Sequence, residues 1–343
     1  MELMKKEFFC KYIIVALMGM SVLTGCGSKE EESKAAYRQM GIEYMEQGDY
    51  ASAIEAFNTA LSQGVGTIGA NELDIAYYKA AAQYAGGNME AALATYNAII
   101  DFKQNAYEAY YLRGCLYCKQ GDVEAAKSDF AKAVQIQDGD YKLYINIYEN
   151  LNLLGETEEA KGYLNQAMKI SGEEITNHEY RGQIYYLLGE YDNAIEELNT
   201  ALEAGSTYAN LYLAKSYEDK GDPATAEGYF KSYIAAIPAD AVALNELGEI
   251  MLEKERYEEA ILYFEQGLAC EVIPNTRALM HNLVVAYEYN GNFDKAWELI
   301  QQYVSLFPGD EEAEREYIFL KNRQMKEESV EEPDNTESAE EPA

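Results

Sequence analysis

Apolar and small residues along most of this chain recur at i, i+3 and i+4, the spacing that puts them on one face of a helix. Gly41, Tyr44, Ala53 and Phe57 form one such set. Gly114, Tyr117, Ala126 and Phe130 form another, as do Gly182, Tyr185, Ala194 and Leu198, then Gly248, Met251, Ala260 and Phe264. In each set the small residues let two helices approach and the larger ones fill the gap beside them. Turns punctuate the pattern. Gly48, Gly87, Gly121, Gly155, Gly189, Gly221 and Gly291 each follow one helical stretch, with Glu255 taking that place once. An Asp, Asn or Glu follows most of them and starts the next stretch. Successive spacings are 39, 34, 34, 34, 32, 34 and 36 residues. The pattern predicts eight helix–turn–helix units over residues 34–308. Pro238 and Pro308 each mark a stop, since proline cannot continue a helix. A last helix is expected within 309–325: acidic at its start, carrying Lys321 and Arg323 at its end, and supplying Tyr317, Phe319 and Leu320 as its apolar contact. Residues 326–343 are acidic, with Val330 as their one large apolar residue, and read as a disordered tail.

A unit near 34 residues with these small and aromatic positions resembles the tetratricopeptide repeat. The fourth unit departs from the family pattern with Tyr148 at the small position, and the second with Gln83 at the aromatic one. The resemblance implies an all-α fold, a right-handed α-solenoid of about eight units closed by the C-terminal capping helix. It also implies a concave groove lined by the first helix of each unit. Carried over unit by unit, groove candidates are Tyr111, Lys119, Glu149 and Asn152, then Glu179, Gln183 and Tyr186. Leu211, Glu218, Asn245, Glu249 and His281 complete them. The Lys and Asn clamp with which some family members hold acidic C-termini is not expected, because Arg38 is followed by Ile42 and the later positions are acidic. The mixed acid, amide and apolar lining favours a basic or amphipathic peptide.

The N-terminus follows another pattern. Lys5, Lys6 and Lys11 precede an uncharged apolar run from Tyr12 to Leu23. As a helix that run is roughly 18 Å long, short of a ~30 Å hydrocarbon core. It reads as a secretory signal. Leu23-Thr24-Gly25-Cys26 resembles the lipobox of bacterial lipoprotein precursors. That implies cleavage between Gly25 and Cys26, a diacylglyceryl thioether on Cys26, and residues 26–33 as a lipidated tether. The mature chain is then expected to be anchored on the extracytoplasmic side of a cell membrane, two acyl chains sufficing for stable attachment.

Composition narrows the partner. The chain has 343 residues and a formal net charge of −33, which argues against nucleic acid, whose phosphates require Lys and Arg. Several of its 31 tyrosines, Tyr44, Tyr117, Tyr185, Tyr217 and Tyr287 among them, sit at packing positions of the repeat. Of five cysteines, Cys115 and Cys118 form a C-x-x-C inside a first helix, without a second cysteine pair, and read as packing groups. His178 and His281 lie far apart, so no zinc site or other metal centre is expected, and Gln137–Tyr141 lacks calcium-loop spacing. With no nucleophile elbow, P-loop or dinucleotide fingerprint, neither an enzyme nor a cofactor is expected. The expected function is an envelope scaffold that binds a partner polypeptide. A ligand-binding surface lipoprotein, for glycan or peptide, is the alternative, although Trp297 is the single tryptophan and sits inside a second helix.

Overall fold

The computed structural model describes residues 29–63, 69–172 and 174–331. The signal, Gly25 and Cys26 lie outside them. Seventeen helices and no strand occur among the described residues. They are α1 (Lys29–Glu46), α2 (Tyr50–Ser62), α3 (Ala70–Ala85), α4 (Met89–Phe102), α5 (Tyr107–Gln120), α6 (Val123–Ile136), α7 (Tyr141–Leu153) and α8 (Thr157–Ala167). There follow α9 (Ile175–Leu188), α10 (Tyr191–Glu203), α11 (Ala209–Asp219), α12 (Pro223–Ala236), α13 (Ala241–Glu253), α14 (Tyr257–Leu268), α15 (Thr276–Tyr289), α16 (Phe293–Leu306) and α17 (Glu311–Glu331). Odd-numbered helices through α15 open the eight units and even-numbered ones close them. Two boundaries differ from expectation. The tether expected through residue 33 is helical from Lys29, and α17 runs on to Glu331 where a disordered tail was expected from 326.

The chain divides into two compact units, Met1–Glu173 and Glu174–Ala343. Within each, every odd helix packs on its even partner and the even helix packs on the next odd one. First helices of neighbouring repeats also touch: α1 with α3 and α5 with α7 in the first unit, α9 with α11 and α13 with α15 in the second.

The small residues act as the pattern predicts. A Cβ on Gly41 would lie 2.4 Å from the Phe57 ring, one on Gly114 2.7 Å from Phe130, and one on Gly248 2.3 Å from Phe264. Gly182 meets Leu198 at 2.4 Å in the same way. No real Cβ tolerates such distances, so glycine is what brings each helix pair together. The rings it admits are wholly buried, each worth about 1.5–3 kcal/mol of transfer free energy. At the departure in the second repeat, the buried Gln83 amide oxygen accepts from Thr95 Oγ1 at 2.7 Å, so the polar substitute is satisfied by the facing helix.

Helix starts also follow chemistry. Asp49, Asn88, Asp122, Asp222 and Asn292 each accept a backbone N–H three residues on, at 3.0–3.2 Å. Glu156 and Glu190 hold the same place without a side-chain cap, their carboxyls standing one methylene further out. No described helix is long and apolar enough to cross a membrane.

Candidate functional site

The odd helices present one face per unit, and in the second unit that face gathers carboxylates. α11 supplies Glu218, and α13 supplies Glu246 and Glu249. Lys215 Nζ donates to Glu246 Oε1 at 2.7 Å, while Glu246 Oε2 is buried without a hydrogen-bond donor. Burial pushes the Glu218 carboxyl up to about 7, and the charges of Glu246, Asp219, Glu249 and Glu253 push the same way. Burial raises Glu246 too, with Lys215 acting against it. A carboxyl raised by desolvation and like charges gains most from an arriving cation, which supplies the counter-charge its surroundings lack.

Beside this cluster runs an amide ladder. Asn245, 7% exposed, donates through Nδ2 to Glu249 Oε1 at 2.8 Å. Asn282 Nδ2 of α15 donates to Asn245 Oδ1 at 3.0 Å and to Glu249 Oε1 at 2.7 Å. On the other side, the half-buried Tyr186 ring meets Tyr212 at 5.8 Å and Tyr191 at 6.0 Å between centroids. Burial first, then the nearby Asp219 carboxylate, pushes its hydroxyl above the ordinary phenol value. Aromatic rings bordering carboxylates suit a chain segment with both cationic and apolar groups.

The remaining expected positions are spread over other roles. Ser206 Oγ donates to Glu179 Oε2 and accepts the Ala209 N–H at 3.1 Å, so Glu179 braces the start of α11. Leu211 packs against the core of the second unit. Gln183 is half-buried on α9. His281 lies against Tyr303 of α16, centroids 6.0 Å apart, and turns toward α17. In the first unit, Tyr111 packs its ring 5.9 Å from Phe130 and receives a 3.5 Å bond from Asn150 Nδ2. Thr157 Oγ1 donates to Asn152 Oδ1 at 3.0 Å, tying α7 to α8. Glu149 is exposed and Lys119 half-buried.

Cys115 and Cys118 are both buried in α5. Burial pushes the Cys118 thiol up to about 12 and Cys115 well above its ordinary value. Reactive thiols are held the opposite way, as stabilised thiolates. No group of three or more His, Cys, Asp or Glu among the described residues could hold a metal ion.

Tyr212, Glu246 and Asn282 were not expected at the site. Each immediately follows an expected residue: Leu211, Asn245 and His281. Neighbours in a helix diverge by about 100°, the width of an amphipathic face, so sequence could have found them by widening the stripe one position.

Paired helices repeated along both units define an all-α helical-hairpin repeat protein. Tetratricopeptide repeat family models match residues 38–107 and 211–271, residues 107–140, and residues 181–204. The chain is built of tetratricopeptide repeats. A tetratricopeptide repeat protein from Parabacteroides merdae ATCC 43184 superimposes with TM-score 0.54 at 16% identity, covering 74% of this chain and 99% of its own, which speaks for the fold alone. Protein O-mannosyl-transferase TMTC1 of Homo sapiens is 24% identical over 177 residues, 50% of this chain. DnaJ homolog subfamily C member 3 of Gallus gallus is 25% identical over 215 residues, 57% of this chain. This chain spans only 20% and 41% of those two relatives.

Proposed function

We propose that this protein is a membrane-anchored, extracytoplasmic scaffold that holds a basic or amphipathic segment of a partner polypeptide against the odd helices of its second unit. The fold supports the broader part of this reading, because arrays of this repeat serve protein–protein interaction. The finer part rests on one observation: Glu218, Glu246 and Glu249 gather on the odd-helix face, where Lys215 pairs with Glu246. An incoming Lys or Arg flanked by apolar groups meets carboxylates and the Tyr186 and Tyr212 rings together. The anchor rests on Leu23-Thr24-Gly25-Cys26 and the basic, apolar stretch before it.

Photoreactive residues at Gln183 and Glu249, with controls at the exposed even-helix positions Lys132 and Gln266, test the binding face. Capture of one envelope polypeptide by the first pair, lost when Glu218 and Glu246 are both changed to Gln, is the expected result. Capture by the controls instead rejects it. For the anchor, Cys26→Ser should abolish both incorporation of radiolabelled palmitate and retention in the membrane fraction. A wild-type chain retained in the membrane without label, or label kept by Cys26→Ser, would refute lipidation of Cys26.

A further inference from the structure

α15 and α17 are separated in sequence by α16, yet two of their carboxyls meet. Glu288, at the C-terminal end of α15, and Glu316, in the second turn of α17, stand within hydrogen-bonding reach of each other. Glu288 Oε1 and Glu316 Oε2 are each buried without a donor from any other described group. From α15, His281 Nε2 stops 3.6 Å from Glu316 Oε2, beyond hydrogen-bond distance. From α17 and the turn before it, Glu312 and Asp310 add negative charge around Glu316. Asp310 is itself held by Arg277 of α15 and Tyr303 of α16.

Two desolvated carboxylates in contact repel strongly, whereas a single shared proton turns them into donor and acceptor. The pair spans the seam where the terminal helix docks. That docking covers the end of the array: Ala313 and Leu320 are wholly buried with Ile300 and Tyr303, and the Tyr317 ring lies 5.0 Å from Trp297.

We propose that Glu288 and Glu316 form a proton-operated latch: sharing a proton they hold α17 on the last repeat, and with both ionised α17 lifts from the apolar face of α16. The direction follows from linkage. Burial first, then the Glu316 charge, raises Glu288 from 4.5 to about 7, and Glu316 is raised by burial as well. Docked, the pair keeps a proton that a released α17 would surrender near 4.5, so docking is strongest in acid, weakens as pH climbs from about 4.5 to about 7, and levels off above that. The latch requires no partner, and its assay contains none, so it stands or falls separately from the binding face.

Trp297, the chain's single tryptophan, reports on the seam directly. Its emission, and amide exchange across 311–324, are to be followed in the full chain from about pH 5 to about pH 8.5. Expected are a red shift and a loss of protection as pH rises to about 7, levelling off above that, with opening increasing by up to about tenfold per pH unit. In Glu316→Gln and in Glu288→Gln, the amide donates to the remaining carboxylate at every pH, so both signals should stay flat at their acid values. His281→Gln should keep the transition. Circular dichroism establishes that each variant is folded, and either Gln variant alone suffices. A flat wild-type profile, an unchanged transition in the folded Gln variants, or a transition removed by His281→Gln but not by them overturns the latch.

Discussion

Glu255 sits at φ 57 where the other seven turns of this kind have glycine. A left-handed backbone crowds a Cβ and costs roughly 1–2 kcal/mol, part of which glycine returns as entropy in the unfolded chain. Glu255→Gly is therefore expected to stabilise the protein by about 0.5–1 kcal/mol, read as a higher urea midpoint. Gly248→Ala should act oppositely. Its new methyl would meet Phe264 at 2.3 Å and cost about 1–3 kcal/mol through overpacking. The cysteines follow burial as well: Cys270, half-buried near a turn, should alkylate in the native protein, whereas Cys115 and Cys118 should react only on unfolding. Peptide mapping after a brief alkylator pulse checks this, and early labelling of Cys118 would mean that α5 opens readily.

At the scale of elements, one device joins successive repeats. Tyr233 and Tyr303 each lie five residues before Pro238 or Pro308 and seven before Asp240 or Asp310. Their hydroxyls donate to those aspartates at 2.8 and 2.6 Å, while the other carboxylate oxygen takes backbone N–H groups of the next helix. Bonds from Tyr303 and then Arg277 hold Asp310 down at about 2, against an ordinary 3.8. A depressed carboxyl contributes stability that is present above its ordinary value and lost as pH falls through the depressed one. The contribution of Asp310 to docking α17 should thus fade between pH 3.8 and about 2, opposite in sign to the latch, and Asp310→Asn should remove that acid limb of an unfolding titration. Proline as a helix stop was legible in the sequence, because it is a property of the backbone. The tyrosine–aspartate bond was not, because nothing in a local window says which hydroxyl reaches back across the turn.

For the whole molecule, charge is the dominant fact. A formal net charge of −33 makes self-repulsion oppose compactness. Raising NaCl from about 20 mM to about 300 mM should therefore raise the thermal midpoint by screening. A fall would mean that pairs such as Arg113–Asp129, with Asp129 buried, outweigh the repulsion.

By itself the sequence determined the helices, their pairing into repeats, the glycine contacts and most N-caps. These depend on residues within one turn or one hairpin, where spacing dictates geometry. Only tertiary structure decided which of the many acidic side chains lie exposed and which are pressed together. The meeting of Glu218 with Glu246, and of Glu288 with Glu316, depends on helices from different repeats stacking side by side. Burial and like charge at those seams, rather than residue type, set those carboxyls apart from the solvated majority.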